Sequence, residues 1–345
     1  MTTVEITSAR PVGEVLAWSR AVIDPALRAA VETLPASMRH LTGYHLGWWD
    51  ERGAPTSSAG GKAIRPTLVL LAAEAAGGAA EAAVPAAAAV ELVHNFSLLH
   101  DDVMDGDATR RGRPTVWAVF GPTEAILAGD ALLALAFDVL AASGHPTASE
   151  GIRMLSAAVL DLVDGQHEDV AFEALAQVDV AECLGMATKK TGALLGCAAA
   201  LGATVAGARP DQLAHLRGFG ERLGVAFQHV DDLLGIWGDP VVTGKPAYAD
   251  LSRRKKSLPV VAALASGGAA GAELAALYHR ERPLSAADLA RAADLVQWAG
   301  GRTWSQTQAA DLLAEALGHL DAAGLAARAA VELGALAHLV THRDH

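Results

Sequence analysis

Cysteines and aromatic residues are scarce in this sequence, which has two cysteines and 5% aromatic residues among 345 positions. Two cysteines do not make a disulfide scaffold, and their scarcity suits a reducing compartment. Aromatic and β-branched residues favour strands, whereas alanine and leucine, which are abundant here, favour helices. Because segments that alternate apolar and polar residues are also lacking, the sequence predicts an all-α protein.

Basic residues are fewer than acidic ones, 27 against 39, which gives a formal net charge of -12. This balance argues against a nucleic-acid-binding protein. The first residues, "MTTVEITSARP", lack the basic segment and apolar core of a signal peptide, so we expect a cytoplasmic protein. The longest uncharged run, residues 191–208, is rich in small residues. We interpret it as a buried helix and expect no integral membrane segment.

Helix signals occur along the whole chain. "VIDPALRAAVETL" offers Asp24 as an N-cap and Pro25 at the first helical position. "LSAADLARAADLV" offers a capping box of Ser285 and Asp288. Segments such as "AAVELVHNFSLLH" repeat apolar residues at a spacing of three and four, which indicates amphipathic helices.

Loops rich in glycine, proline and small polar residues interrupt the helices at residues 50–62, 106–115 and 238–250. None of them looks like a border between independently folding units. We therefore predict one all-α domain, in which residues 1–59 form an N-terminal arm and first helices packed on a core of residues 60–345.

Two clusters of aspartates end apolar helical runs. In "LLHDDVMDGDATRRGRPT", Asp101 and Asp105 would lie one helical turn apart, with Asp102 beside them. Carboxylates this close repel one another, so a cation is expected between them. A second pair, Asp231 and Asp232, ends the run "GVAFQHVDD". Oxygen ligands favour Mg²⁺, which usually retains water and ligand phosphates, so a phosphorylated ligand is implied.

Basic residues suited to phosphate accompany these acids. In "GGKAIRP", Lys62 and Arg65 follow a glycine-rich loop and lie one turn apart. Arg110 and Arg111 follow the first acidic cluster directly. Further lysines lie in "KKTGALL", "TGKP" and "RRKKSLP": Lys190, Lys245, Lys255 and Lys256. His100 adjoins the first cluster, but on a helix it points about 100° away from Asp101, so we do not count it as a ligand.

In this order, the motifs resemble those of the trans-isoprenyl diphosphate synthases, the polyprenyl synthetase family, and most closely its short-chain geranylgeranyl type. The similarity extends from about Gly60 to Pro259 through "GGKAIRP", "ELVHNFSLLHDDVMDGDATRRGRPT", "GQHED", "KTGAL", "FQHVDD", "GKP" and "DLSRRKKSLP". It implies a single-domain isoprenoid-synthase-type helical bundle around a central cavity, which commonly forms a homodimer. It also implies condensation of isopentenyl diphosphate with an allylic diphosphate.

The resemblance assigns roles by position. Two or three Mg²⁺ ions, bound together with diphosphate, would be held by Asp101, Asp102, Asp105, Asp231 and Asp232. The allylic diphosphate would contact Arg110, Lys190, Lys245 and Lys255. Isopentenyl diphosphate would contact Lys62, Arg65, His94 and Arg111. Thr191 and Gln228 would lie near the reacting carbons, where they stabilise positive charge.

The second acidic motif departs from the family pattern Asp-Asp-x-x-Asp, because Gly235 stands at its third acidic position. Asp231 is expected to carry most of the metal binding there. Asp239, one turn further on, could contribute only if the helix continues past Gly235 and Gly238. The departure puts metal affinity and the reaction itself in question.

Product length is predicted from the helix that precedes the first aspartates. Phe96 lies about 7 to 8 Å deeper than Asp101 along this helix. In the family, bulky residues here end the pocket for the growing chain. One aromatic residue beside the small Ser97 resembles the geranylgeranyl (C20) type, with a farnesyl (C15) or other chain-length synthase as the alternative. Plain core packing is the competing interpretation for Phe96.

Two other functions compete with this one. A class I terpene cyclase would need an Asn-Asp…Ser…Glu second metal motif, which we do not find, and would have no use for an isopentenyl diphosphate pocket. A non-catalytic partner subunit or a cargo protein of a larger assembly would be expected to lose aspartates, but both pairs are present. The segment "GYHLGWWDERG" has no counterpart in the family pattern. Its pair Trp48 and Trp49 is interpreted as ordinary packing in preference to a docking or dimer surface.

Overall fold

A computed structural model of the chain describes residues 9–56, 61–240 and 246–342. Within them the α-helices are α1 Val12–Glu32, α2 Ala36–His45, α3 Ile64–Ala75, α4 Val84–Met104, α5 Val116–Phe120, α6 Pro122–Ala142, α7 Ala148–Ala174, α8 Val180–Ala187, α9 Ala193–Val205, α10 Pro210–Trp237, α11 Ala249–Ser252, α12 Leu258–Ala265, α13 Ala269–Tyr278, α14 Ala286–Trp298, α15 Gly301–Ala322 and α16 Ala327–Thr341. A 3₁₀ turn (Ala80–Ala83) precedes α4, and a π-helical turn (Thr188–Gly192) joins α8 to α9. Two strands of two residues each, β1 Thr109–Arg110 and β2 Arg113–Pro114, form a hairpin. The prediction of an all-α protein is confirmed.

The predicted helix starts have different outcomes. Ser285 and Asp288 form the predicted capping box at the start of α14. The predicted start at Asp24 is wrong, because α1 begins at Val12 and continues through Pro25. Buried residues recur every four positions on α1, from Val15 to Val31, and all but Ser19 are apolar. Burial of this stripe outweighs the loss of the backbone hydrogen bond that proline removes.

Contacts within the chain define two compact units. The first comprises Met1–Ala157, Cys197–Arg217 and Leu320–Leu336, and the second comprises Ala158–Gly196, Gly218–His319 and Ala337–His345. The predicted organisation as one domain, with a border between residues 59 and 60, stays a prediction. Residues 57–60 lie outside the described part of the chain.

In the first unit, α4 packs along α6, and both α3 and α1 pack on α4. Leu68, Leu70 and Leu71 of α3 are fully buried, and each such side chain stabilises the fold by about 1.5 to 3 kcal/mol. A Cβ atom at Gly202 would lie 2.1 Å from the carbonyl oxygen of Val69, so glycine is needed for this close helix approach. This packing fixes α4, whose C-terminal end carries the first aspartates.

In the second unit, buried side chains from α10 to α14 form an apolar cluster that includes Ile236, Leu251, Val260 and Val296. Glycine also brings helices close together here. A Cβ atom at Gly165 of α7 would lie 2.5 Å from the backbone nitrogen of Lys190. The π-helical turn that carries Lys190 and Thr191 is therefore held tightly against α7.

Two described helical stretches, Ala80–Met104 and Pro122–Ala142, are long and apolar enough to cross a membrane by length and composition alone. A buried helix in the core of a globular protein meets the same two criteria. In the first stretch, 67% of the most apolar window is buried. Only 39% of the window of the second stretch is buried. The small-residue run at 191–208 forms α9, which is buried along nearly its whole length, as predicted.

Candidate active site

The first aspartates lie at the C-terminal end of α4. Asp105 follows the last helical residue, and its backbone N–H donates to the carbonyl oxygen of Asp101 at 2.8 Å. The helical turn thus continues, and it keeps Asp101 and Asp105 one turn apart as the sequence predicts. The three carboxylates differ in exposure, because Asp105 is exposed, Asp101 is half-buried and Asp102 is buried.

Asp102 is held by Arg110. The Nε and Nη2 atoms of Arg110 each lie 2.7 Å from Oδ1 of Asp102. Burial lowers the pKa of Arg110, but the hydrogen bond and the charge of Asp102 outweigh this effect and raise the pKa above its ordinary value. Arg110 therefore stays charged at the end of α4, where a diphosphate would need a cation.

The hairpin of β1 and β2 carries the paired arginines. Arg110 pairs with Arg113, and the two turn residues Arg111 and Gly112 both have left-handed backbone angles, with φ of 53° and 73°. Positive φ at both central residues is the signature of a type I′ turn, which costs a non-glycine residue about 1 kcal/mol or more. A Cβ atom at Gly61 would lie 2.5 Å from Nη2 of Arg111, so the glycine of the "GGK" loop makes room for that guanidinium.

The predicted pocket for isopentenyl diphosphate gathers around the start of α3. Nη1 of Arg65 lies 3.2 Å from Nε2 of His94. Burial lowers the pKa of His94 well below its ordinary value, and Arg65 and Arg111 lower it further. His94 is therefore neutral and offers a hydrogen bond without adding charge. Lys62 is exposed just before α3, in the same unit as Arg65, His94 and Arg111.

A buried polar chain lies behind His94. The side-chain amide of Asn95 donates to the carbonyl and carboxylate oxygens of Glu91, so its oxygen faces His45 at 3.1 Å. Nε2 of His45 must then carry the proton. Burial lowers the pKa of His45 to about 3, with Arg111 and Arg110 adding to the effect. His45 and the glutamate were not singled out from the sequence.

The predicted chain-length residues lie deeper on α4. Phe96 and Ser97 are 5% and 8% exposed, so other groups can contact them only from the interior of the protein. The Phe96 ring contacts the His100 ring edge to face, with 4.8 Å between centroids. Nε2 of His100 lies 3.0 Å from the carbonyl oxygen of Ile126 on α6. His100 thus faces α6.

In the second unit, Asp232 near the end of α10 is buried and accepts two hydrogen bonds. Its donors are Nε2 of Gln228 at 2.8 Å and the backbone N–H of Leu258 at 2.9 Å. Oε1 of Gln228 accepts in turn from the Thr191 hydroxyl at 2.6 Å, so the two predicted polar residues form one chain with this aspartate. Burial raises the pKa of Asp232 to about 6, although Lys255 opposes the effect.

Two predicted diphosphate ligands, Lys190 and Lys255, share one carboxylate. Oδ2 of Asp169 lies 2.5 Å from Nζ of Lys190 and 3.5 Å from Nζ of Lys255. Burial raises the pKa of Asp169, but the two lysines outweigh burial and lower it. Asp169 was missed as a site residue, although "GQHED" was among the matched motifs. The neighbouring Lys256 donates to the carbonyl oxygen of Leu175 at 2.9 Å, so it supports the backbone.

Gly235 of the second acidic motif packs against another carboxylate. A Cβ atom there would lie 2.1 Å from Oδ2 of Asp250, a residue that the sequence did not single out. The carboxylate of Asp250 thus occupies the space beside α10 that a side chain at position 235 would fill. Helix α10 continues past Gly235 but ends at Trp237. Asp239 could contribute to metal binding only if the helix also continued past Gly238, and it does not. Lys245 lies outside the described residues.

The donor set suits Mg²⁺ held jointly with a diphosphate. Among the described residues, no group of three or more His, Cys, Asp or Glu side chains could hold a metal ion by itself. Mg²⁺ is usually bound by one or two carboxylates, with water and substrate phosphates completing its shell. Oxygen-only donors such as Asp101 and Asp105 therefore fit a magnesium–diphosphate complex and do not fit a zinc site.

Comparison with known sequences gives a consistent result. The family model described as Polyprenyl synthetase matches residues 48–296. The (2E,6E)-farnesyl diphosphate synthase of Mycobacterium tuberculosis is 47% identical over 333 residues, which cover 96% of this chain and 93% of that protein. The geranylgeranyl diphosphate synthase of the same organism is 52% identical over 284 residues, which cover 82% and 81%. The two relatives are named for products of different length, so chain length does not follow from similarity.

Solved structures share the fold. The polyprenyl synthetase of Streptomyces coelicolor A3(2) has a TM-score of 0.91 and 48% identity, and the match covers 95% of this chain and 99% of that chain. The geranylgeranyl pyrophosphate synthase of Corynebacterium glutamicum was solved with isoprenyl diphosphate and magnesium. It has a TM-score of 0.84 and 28% identity, and the match covers 96% and 99% of the two chains.

Proposed function

Because the chain belongs to the polyprenyl synthetase family, and is therefore a transferase and a short-chain trans-prenyl diphosphate synthase, we propose that its main product is geranylgeranyl diphosphate (C20). The observation that carries this proposal is the pair Phe96 and Ser97. One buried aromatic ring turned toward His100, with a small serine beside it, occupies less space than two adjacent aromatic rings would. Farnesyl diphosphate (C15) is the alternative.

The acids of this chain would hold Mg²⁺. Asp101 and Asp105, one turn apart, present their carboxylates at the end of α4, and Asp231 contributes from α10. Asp102 supports the site by holding Arg110, and Asp232 supports it by holding Gln228. Bound there, Mg²⁺ would neutralise the diphosphate leaving group.

The basic residues would bind the two substrates separately. Arg110, Lys190 and Lys255, with Lys245, would contact the allylic diphosphate and stabilise the charge that develops as its C–O bond breaks. Asp169 orients Lys190 and Lys255 through these two ion pairs. Lys62, Arg65 and Arg111 would bind isopentenyl diphosphate, with the neutral His94 as a further hydrogen-bonding group.

The polar chain of Thr191 and Gln228 would stabilise the allylic cation. The Thr191 hydroxyl donates its proton to Gln228, which leaves the lone pairs of the Thr191 oxygen available to the cation. Apolar faces of the helices exclude water and prevent quenching of the cation. The double bond of isopentenyl diphosphate then attacks, and loss of a proton, with the released diphosphate as the base, gives a product longer by one isoprene unit.

The experiment that tests this proposal is a product analysis. Purified protein is incubated with isopentenyl diphosphate, Mg²⁺ and each allylic primer in turn, and the chain length of the product is measured. A C20 product supports the proposal, and a C15 product supports the alternative. If no primer is extended, a non-catalytic partner subunit or cargo protein becomes the better interpretation.

We also propose a cytoplasmic homodimer. Helix α6 is strongly apolar, and its side chains Ile126 and Leu127 are 42% and 46% exposed. Large apolar side chains exposed side by side on a helix suit a protein interface. Sedimentation at micromolar concentration should give twice the mass of the chain, and Leu127→Glu should shift the protein towards monomer.

A further inference from the structure

The segment "GYHLGWW", residues 43–49, has no role in the reaction proposed above, yet close packing and a hydrogen bond hold it in place. We call it the N-terminal clamp. A Cβ atom at Gly43 would lie 1.9 Å from the ring of Trp49, so the indole packs directly on the backbone there. Nε1 of Trp49 donates to the carbonyl oxygen of His40 at 2.8 Å. The clamp is therefore a fixed surface at the end of α2.

The clamp contacts the hairpin of β1 and β2 through Arg113. Its Nη1 atom donates to the carbonyl oxygen of Tyr44 at 3.1 Å, and its Nη2 atom donates to that of Trp49 at 3.0 Å. The guanidinium also lies over the Tyr44 ring, 4.6 Å from the centroid. From the other side, the Tyr44 hydroxyl donates to the carbonyl oxygen of Pro114 at 2.8 Å.

The hairpin needs such an external restraint. A two-residue hairpin is not stable by itself, and the left-handed backbone of Arg111 adds strain. The charges of Arg110 and Arg111 repel each other when no anion lies between them. Arg110 is also held by Asp102, and Thr115 and Trp117 donate to the carbonyl oxygen of Asp107, but none of these bonds acts on the turn that carries Arg111.

The two arginines differ in what else holds them. The guanidinium of Arg110 is held by Asp102 of α4, independently of the hairpin. Arg111 is carried at the turn and lies beside the backbone of Gly61, so its place depends on the hairpin as a whole. Loosening the hairpin should therefore disturb Arg111 more than Arg110.

We propose that Arg113 is a positioning residue, which ties the hairpin to the N-terminal clamp and thereby fixes Arg111 for isopentenyl diphosphate. The inference rests on the proposed function, because it takes the assignment of Arg111 to that substrate. It gives the first helices a task in substrate binding: they supply the rigid surface against which a phosphate-binding loop is preorganised.

The test compares Arg113→Met, which retains an apolar stem without the donors, with Arg28→Met. Arg28 also stacks on a clamp ring, Trp48, at 4.3 Å from its centroid, so this control removes a similar contact and charge. For each variant, kcat, the KM for each substrate and the melting temperature are measured. Binding of isopentenyl diphosphate alone is measured by calorimetry.

For Arg113→Met we expect a KM for isopentenyl diphosphate, and a Kd for it alone, raised about tenfold, because two charge-assisted hydrogen bonds are lost. The KM for the allylic substrate and kcat should change less than threefold when measured well below the melting temperature. The melting temperature should fall further than in Arg28→Met, because Arg113 also donates two hydrogen bonds. Arg113→Lys should raise the KM for isopentenyl diphosphate less than Arg113→Met does, because one ammonium can make only some of the contacts of the guanidinium. Equal changes for both substrates, or an unchanged KM for isopentenyl diphosphate, would overturn the inference.

A second variant guards against failure of the first to fold. Tyr44→Phe retains the ring and removes only the hydroxyl that bonds Pro114, so it should raise the same KM about two- to fivefold. If the wild-type protein neither extends a primer nor binds isopentenyl diphosphate, the proposed function itself fails. If the wild type is active and both variants match it, only the role of Arg113 is wrong.

Discussion

Lys190 and Asp169 form a partly buried ion pair, with 2.5 Å between Nζ and Oδ2, in which the carboxylate also attracts Lys255. One acid thus orients two of the lysines assigned to the allylic diphosphate. Asp169→Asn would remove the charge that balances them, and their mutual repulsion would move them apart. We predict a 10- to 100-fold loss of kcat/KM for the allylic substrate, equivalent to about 1.4 to 2.8 kcal/mol.

The matched control for this prediction is Asp164→Asn, five residues earlier on α7. Asp164 pairs with Lys189 at 2.7 Å, but this pair is more exposed to solvent than that of Asp169 and Lys190, so it should contribute less. Steady-state kinetics with a fixed concentration of isopentenyl diphosphate distinguish the two variants. Equal effects would show that Asp169 has no special role.

Gly235→Ala tests the carboxylate that lies beside α10. The new methyl group would collide with Asp250, whose carboxylate must then move away from the second acidic motif. We predict a three- to tenfold higher Mg²⁺ concentration for half-maximal activity, and weaker Mn²⁺ binding in the presence of diphosphate. Stability should not fall, because alanine is favoured over glycine in a helix by about 1 kcal/mol.

Gly318→Ala on α15 is the control for this substitution, since a Cβ atom there meets nothing within 4 Å. It should raise the melting temperature and leave the metal requirement unchanged. An unchanged requirement in Gly235→Ala would mean that the position of the Asp250 carboxylate does not affect metal binding.

Phe96→Ala tests the floor of the pocket. Removing the ring opens space beneath the growing chain, so the product should be longer than that of the wild type by one or more isoprene units. The substitution should also cost about 3 to 5 kcal/mol of stability, which requires assays at low temperature. Phe219→Ala, which removes another fully buried ring, controls for this loss and should leave product length unchanged. If Phe96→Ala gives the wild-type product, Phe96 is ordinary core packing.

His45 should make the protein sensitive to acid. Its pKa is about 3 in the folded protein against about 6.5 in the unfolded chain, so the unfolded chain binds more protons between these values. The stability that His45 contributes is complete above pH 6.5 and is lost as pH falls towards 3, by about 1.4 kcal/mol per pH unit. In His45→Gln, unfolding by urea should depend on pH less steeply over this window. The control is His279→Gln, which removes an exposed histidine in place of a buried one.

The sequence was sufficient for the all-α fold and for the motifs, because apolar spacing and charge order are local properties. Even there, the start at Asp24 was wrong, since the apolar stripe of α1 extends through Pro25. Local signals could not show that Asp169 holds two distant lysines, that Asp250 fills the space beside Gly235, or that Arg113 reaches Trp49. Each of these contacts joins residues far apart in the chain, and only tertiary packing brings them together.

The central claim is that Asp101 and Asp231 act on the same magnesium–diphosphate complex. The most direct test is equilibrium binding of an unreactive allylic thiolodiphosphate, with Mg²⁺ and with EDTA, to the wild type, Asp101→Asn, Asp231→Asn and the double variant. We predict that each single variant binds at least tenfold more weakly with Mg²⁺, that all four bind alike in EDTA, and that the double variant loses less than the product of the single losses. Losses that multiply, or wild-type affinity in Asp231→Asn with Mg²⁺, would contradict a shared site.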